Sequence, residues 1–386
     1  MIRLGTECRS GLGPKLKFSE LASFAVILGL LIACCYSFAT DTTCKGMICR
    51  GDFPAFYSAA KLAYSNDTYT DSDIYNNQRQ QDIQNQYWPS LEGQYLYFSY
   101  PPYVASILSP ISLLGPKTAK ILFLFSSICC LFLALYLLSK ETRQSFFSLI
   151  SITLCFFPSM VGLVSGQNFT LSFLLLTIIY LALTKYNNDY LVGVAVGCWI
   201  FKPHFALIAY IGLFCCRRTK AVIVSTFIFL ITYILTSYKY GFLWPLKWLK
   251  VVKYFYQEDL INNSYQMISI ISYFESMGLA LLGVTLSLSL FFIYCYVCYR
   301  NGRKAYLNTL PAIVILCSPH TMYYDLGLLL IPFFMKTIVI STRMTIVVLT
   351  FTSSIFLLRE CFYLSPLIIL PFLSFLYVEQ ERAEKF

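Results

Sequence analysis

Long apolar runs, broken at short intervals by a few charges, set the pattern of this chain from position 18 to position 377. The runs are apolar all round rather than alternating. That suits helices in lipid and argues against the two-residue repeat of a transmembrane barrel. Twelve spans are predicted, at about 18–39, 121–139, 145–164, 168–184, 190–201, 203–216, 221–237, 277–299, 305–317, 321–335, 344–358 and 361–377. Several fall short of the roughly 20 residues of a perpendicular span, so the neighbours 190–201 and 203–216 read as tilted helices, or as helices broken around a cavity. The expected fold is all-α: a polytopic transmembrane helical bundle forming a single membrane-embedded domain over 1–386. The first run follows Arg3, Arg9, Lys15 and Lys17. At about 22 residues it is longer than a signal-peptide core and reads as an uncleaved first helix.

Two long polar segments interrupt the pattern. The first, 40–120, holds seven of the 19 acidic residues and is rich in Tyr, Asn, Gln and Asp. Within it an amphipathic helix is expected at 54–64. A short apolar stretch at 103–114, introduced by Pro101-Pro102, is expected to lie along the membrane interface. The second segment, 237–275, is aromatic and basic, with Trp244, Lys247, Trp248, Lys250, Lys253 and Tyr254. That composition also suits an interface.

Charge then supplies an orientation. With the N-terminus in the cytoplasm, the inner loops receive Lys140 and Arg143, Lys185, Arg217 with Arg218 and Lys220, Arg300 with Arg303 and Lys304, and Lys336 with Arg343. Every short inner loop is positive, the C-terminus is cytoplasmic, and both long segments face outside. Only 12% of the 386 residues are charged and 58% are hydrophobic, against roughly 25% charged in soluble domains. The net charge of +10 sits at the ends of apolar runs. No basic stripe with interleaved aromatics marks a nucleic-acid surface. Most of the 15 cysteines lie inside apolar runs, where they read as small apolar filler. Cys295 and Cys298 lack the second pair of a zinc site. Cys44 and Cys49 lie in the first polar segment and are spaced for a short disulfide if that segment faces an oxidising compartment.

Under this topology the polar motifs inside or beside apolar runs all fall at outer helix ends. They are Arg50-Gly51-Asp52-Phe53, Gly166-Gln167-Asn168, Lys202-Pro203-His204 and Ser318-Pro319-His320, with Asp325 a turn further on. Each has a plainer reading. Asp52 suits a helix N-cap, Gln167 and Asn168 a helix boundary, Lys202 a snorkelling lysine and His320 an interfacial histidine. Asp325 is harder to dismiss, because a carboxylate inside an apolar helix faces a cavity or a partner; His320 and Lys202 are its nearest candidates by depth. Taken together, a carboxylate, a lysine, a histidine and amides suit a reaction in which a hydroxyl loses a proton and an anionic leaving group is stabilised. The chain has no Walker sequence, no GxGxxG and no HExxH.

These motifs in this order, with Tyr100-Pro101-Pro102 between the first two and Tyr324-Asp325 after the last, resemble glycosyltransferase family 87 over roughly 45–330. The resemblance implies a GT-C membrane enzyme. Its donor would be a polyprenyl-phosphate sugar carrying a mannose-like hexose or a pentose. Its acceptor would be a hydroxyl of an envelope glycolipid or glycan. The site would be extracytoplasmic, in a multi-pass protein of the bacterial cytoplasmic membrane. Asp52 matches the acidic residue that acts on the acceptor, and His320 a further catalytic position. Lys202, Gln167, Asn168 and Tyr100 match donor- and phosphate-binding positions, with Asp325 and His204 in support. Neither a cofactor nor a metal is implied, and membrane lipids are the other expected partners. The Asn- and Gln-rich first segment departs from the family, and the long C-terminal extension of some members has no counterpart here. A transporter or lipid-linked-sugar flippase is the rival reading, although such sites usually lie near the midplane between internal repeats, and no repeat is visible here. An O-antigen ligase or polymerase would carry its large outer loop late rather than early.

Overall fold

A computed structural model of the chain describes residues 51–64, 73–88 and 95–335. The predicted spans 18–39, 344–358 and 361–377, and the Cys44–Cys49 pair, lie outside the described residues. Among those described, every regular element is helical. In chain order they are α1 (Phe53–Tyr64), α2 (Asn77–Tyr87), α3 (Pro102–Leu108), α4 (Pro116–Thr142), α5 (Phe146–Cys155), α6 (Phe157–Val164), α7 (Phe169–Leu181), α8 (Asp189–Cys198), α9 (Pro203–Cys215), α10 (Thr219–Tyr240), α11 (Trp244–Asn263), α12 (Ile270–Ser276), α13 (Ala280–Cys317) and α14 (Leu330–Met335). Four stretches among the described residues are long and apolar enough to cross a bilayer: α4, α7 with its continuation to Tyr186, α10 and α13. Many outward-facing leucines, isoleucines and phenylalanines on α4, α10 and α13 leave these helices with apolar surfaces, as lipid contact requires. The chain is an integral membrane protein.

The α13 stretch of 38 residues is two arms, not one rod. Gly302 interrupts it at φ 60°, ψ −143°. Ser287 Oγ donates to the Cys317 carbonyl at 3.3 Å, and Cys317 Sγ reaches back to the Ser287 carbonyl at 3.4 Å. In a continuous helix those residues, 30 apart, would stand about 45 Å from each other. The chain therefore folds back at Gly302, midway between them. The arms correspond to the separately predicted spans 277–299 and 305–317.

Elsewhere the predicted spans divide. The 145–164 stretch breaks between α5 and α6 with a bend of 86°, where Pro158 stands in the first turn of α6. The 321–335 stretch opens as a 3₁₀ turn, Tyr323–Leu329, before α14. The short neighbours 190–201 and 203–216 are indeed a broken pair: α8 ends in a 3₁₀ turn, Trp199–Phe201, and α9 starts at Pro203. Proline at 203 pushes Lys202 out of the helical region, and Lys202 sits at φ −114°, ψ 82°.

The first polar segment folds into the protein. The expected amphipathic helix is present as α1, yet all of it except Lys61 and Tyr64 is buried, so it is enclosed by protein rather than lying with one face outward. Buried amides explain the glutamines nearby. Gln84 donates to the Leu96 carbonyl at 2.8 Å and accepts from the Leu96 N–H at 2.9 Å, holding the extended chain before Tyr100 as a neighbouring strand would. Gln80, also buried, accepts from Tyr95 Oη at 3.2 Å. The second polar segment crosses over the first through α11: Trp248 Nε1 donates to the Ser99 carbonyl at 2.9 Å, and Trp244 packs edge-on to Tyr103.

The two ends of the bundle differ in charge. At one end Lys185 pairs with Glu141 at 2.9 Å and Arg218 with Asp189 at 3.1 Å. There too Arg303 donates to the Leu183 carbonyl at 2.9 Å, and Arg217 lies over the Tyr299 ring. The described loops predicted to be cytoplasmic thus gather together. Helices α7 and α9 and the second arm of α13 run from this end to Asn168, Lys202 and Ser318 respectively, at the other.

Gly302 holds a backbone conformation that a Cβ would strain, with open space around it. Gly302→Ala is expected to lower stability by about 1–3 kcal/mol through that strain alone, read as an earlier midpoint in denaturant titration of detergent-solubilised protein.

Candidate active site

Four breaks in helical structure meet at the end opposite the cationic loops. The first is the entry to α1. Gly51 takes φ 50°. The Asp52 carbonyl accepts from the N–H groups of Ala55 at 3.0 Å and Phe56 at 3.3 Å, so Asp52 caps α1 with its main chain. Its own N–H donates to the Ser165 carbonyl at 3.2 Å. That bond joins the first break to the second, where Gly166 at φ 68° ends α6 and delivers Gln167 and Asn168. Asp52 thus stands at the N-cap position of α1 by its backbone, with its side chain beside that of Gln167.

The third break carries Lys202 and the fourth carries His320 and Asp325. Lys202 Nζ lies 2.6 Å from Asp325 Oδ1, and both side chains are almost completely enclosed, at 6% and 3% exposure. The rings of Phe205 and Tyr324 flank the ammonium at 4.8 and 5.5 Å. Of the two partners considered for Asp325, Lys202 is the one it meets. His204, beside Lys202, stacks edge-on to Phe205 and lies within electrostatic reach of Lys202 and His320.

His320 has a different acid. Its Nε2 is 2.6 Å from Asp259 Oδ2, and Asp259 also accepts from Asn263 Nδ2. The loop bearing His320 is held by an antiparallel bridge between Met267 and Met322, by the Ile268 N–H donating to the Thr321 carbonyl at 2.9 Å, and by Ser269 Oγ donating to the Pro319 carbonyl at 3.2 Å. Sequence reading missed Asp259, although a signal was present. Trp244, Trp248, Phe255 and Asp259 share one face of α11. The first two pack on the 95–103 segment and Phe255 on Tyr97 and His320. Asp259 is therefore an acid on the packed face of an otherwise largely uncovered helix.

Asp52, Lys202, His320 and Asp259 are close enough to act on one another's charge. Burial pushes the Asp52 carboxyl above its ordinary 3.8; the Gln167 hydrogen bond opposes this, the Asp259 charge adds to it, and His320 and Lys202 pull it back down. Tyr100 closes the group. Its ring packs against Phe56 at 5.0 Å, its carbonyl accepts from Tyr75 Oη at 2.8 Å, and its hydroxyl lies beside the Asn168 side chain. Burial, then the charges of Asp52 and Asp325, raise that hydroxyl far above the usual tyrosine range. Two buried acceptors in the group have no partner: Gln167 Oε1 and Asn168 Oδ1. Among the described residues no three His, Cys, Asp or Glu side chains gather as metal ligands do.

Among the described residues the protein is all-helical, and a carboxylate, a lysine and a histidine from separate helix ends meet at one end of the bundle. The chain belongs to glycosyltransferase family 87, whose family model matches residues 98–319. It is accordingly a membrane glycosyltransferase. No curated protein and no solved structure matches the chain. The matched stretch contains Tyr100, Gln167, Asn168, Lys202, His204 and Asp259 and stops one residue before His320. Asp52 and Asp325 lie outside it, so their place in the group rests on geometry.

Removing one member of the Lys202–Asp325 pair leaves the other charge buried without its counter-ion, which costs about 3–5 kcal/mol. Lys202→Met and Asp325→Leu singly are expected to lose folded protein, and the double variant to regain it, in size-exclusion profiles and thermal melts of the solubilised protein.

Proposed function

We propose that the protein transfers a sugar, a mannose-like hexose or a pentose, from a polyprenyl-phosphate carrier to a hydroxyl of an envelope glycolipid or glycan. The supporting observation is the convergence of Asp52, Gln167, Lys202 and His320, from four separate chain breaks, at the end away from the cationic loops. By the positive-inside rule that end is extracytoplasmic, where a lipid carrier presents its sugar and nucleotide donors are scarce.

Asp52 acts as general base. The acceptor O–H gives its proton to the carboxylate, and the oxygen attacks the anomeric carbon in line. The bond from that carbon to the phosphate oxygen breaks, its electron pair leaving with the lipid phosphate, and the anomeric configuration inverts. A carboxyl raised above its ordinary range by burial is a better proton acceptor than a solvated one. Lys202 and His320 stabilise the departing phosphate. Lys202 retains N–H donors beyond the one given to Asp325.

Gln167 and Asn168 take a narrower role than general donor binding. Each keeps a buried carbonyl oxygen with no partner, Gln167 Oε1 and Asn168 Oδ1. Phosphate oxygens in an ionised ester are acceptors too and gain nothing from them. Sugar hydroxyls donate, and they fit.

Asp52→Asn is expected to lower transfer by at least about 10²-fold, measured as new glycolipid by mass spectrometry in proteoliposomes supplied with polyprenyl-phosphate mannose and envelope lipid extract. Near-normal transfer by the folded variant overturns the base assignment, and cargo movement with no new glycosidic bond favours a flippase. The pH dependence has a definite sign. Because folding raises the Asp52 value, the folded protein holds this proton to higher pH than the unfolded chain, and this group's contribution to stability falls as pH rises between the two values. The acid limb of the rate profile should lie above pH 3.8. Asp52→Asn should melt no lower than the parent at neutral pH while losing activity.

A further inference from the structure

We propose that Asp259 is the positioning residue for His320, fixing which ring nitrogen faces the substrate. This deepens the reading above and rests on it for the chemistry, although the geometry stands without it. Asp259 sits on α11, the helix that crosses the first polar segment, and is one of only two buried residues on that helix. An acid so enclosed needs a partner. It finds His320 Nε2 at 2.6 Å and Asn263 Nδ2. The ring is held from the sides by Phe255, with centroids 5.3 Å apart, and by Tyr256 at 6.4 Å.

A carboxylate only accepts hydrogen bonds, so the 2.6 Å contact places a proton on Nε2. The nitrogen left for the reaction is Nδ1. An imidazole tied in this way presents one chemical edge: when the ring enters the reaction already protonated, that edge is an Nδ1–H donor to the departing phosphate, and the carboxylate on the other nitrogen stabilises the imidazolium. Asp259 also joins two elements. It links α11 to the loop after α13, and the bonds of Ile268 to Thr321 and Ser269 to Pro319 tie the stretch that follows α11 to the same loop. Replacing it therefore changes the tautomer and tilt of His320 without touching substrate.

The chain has only two histidines, His204 and His320, which makes a direct readout feasible. In the full-length protein labelled with ¹⁵N-histidine and solubilised in detergent, His204→Gln assigns the His320 signals. The expected result is an Nε2–H signature for His320 in the parent and loss of that single-tautomer signature in Asp259→Asn. This measurement needs no substrate, so it stands apart from any failure of the sugar-transfer reading. With polyprenyl-phosphate mannose as donor probe, Asp259→Asn should reduce kcat by about 10- to 100-fold with KM for the donor changed less than threefold, a fraction of the general acid–base effect. Asp259→Glu should recover part of the loss. The double variant Asp259→Asn/His320→Gln should be no slower than His320→Gln alone, because one residue acts through the other. An unaltered His320 tautomer in Asp259→Asn, or losses that multiply in the double variant, overturns the proposal. A normal tautomer response in a protein that transfers no sugar from this donor leaves the positioning intact and overturns the donor assignment instead.

Discussion

Lys202 and Asp325 form an ion pair flanked by the rings of Phe205 and Tyr324, and neither side chain has more than a trace of solvent. Such a pair need not add net stability, since desolvating two charges offsets most of their attraction. Its effect is on geometry. Apolar packing alone fixes helix positions loosely, because one leucine contact resembles another. A buried ammonium, by contrast, tolerates few places other than beside its carboxylate. The pair therefore sets the break between α8 and α9 against the turn that follows the second arm of α13. Those two breaks carry His204 and His320, and the other polar groups assemble around the same point.

The rest of the arrangement follows from how a bundle can present polar chemistry at all. Inside a membrane, backbone groups must be satisfied within the helix, so side chains with work to do sit where helices stop. Each break here has its own local cause. Gly51 and Gly166 adopt positive φ, and Pro203 forces an extended Lys202. The loop through Ser318 and Pro319 is stitched to the 267–269 stretch by backbone bonds. The Asp52 N–H bonded to the Ser165 carbonyl links the first two breaks through the main chain, which brings the positions of Asp52 and Gln167 side by side. Covering this assembly is α11, an exposed helix whose packed face runs through two tryptophans and Phe255 to Asp259.

Much of this was legible beforehand, for reasons that can be stated residue by residue. The break at Lys202 follows from Pro203, and the hairpin of α13 from charges clustered about Gly302. The motif order pointed to a family that the match over residues 98–319 bears out. Other features were not legible. The bend between α5 and α6 lies within one unbroken apolar run, so hydropathy reads it as a single span. Helix α1 looked amphipathic because its partners, the glutamines of α2 and the aromatic segment 95–103, are polar or mixed in sequence and bury it only once folded. Asp259 was passed over because lysines dominate α11 in sequence, and its place on the face of Trp244, Trp248 and Phe255 gains meaning only once that face is known to pack.

By itself, then, the sequence determined what depends on local or one-dimensional properties: the helical class, the membrane as solvent, the positions of most helix ends, and the two-ended distribution of charge. These follow from run length, proline and glycine placement, and loop charge, all of which act within a few residues or through the bilayer normal. Only the tertiary structure decided the pairings, with Asp325 on Lys202, Asp259 on His320, and Asp52 beside Gln167. Each joins residues separated by 61 positions or more, and nothing in a linear pattern distinguishes one acid from another as the partner of a given cation. That choice is made by which helix ends the packed bundle brings within hydrogen-bonding distance.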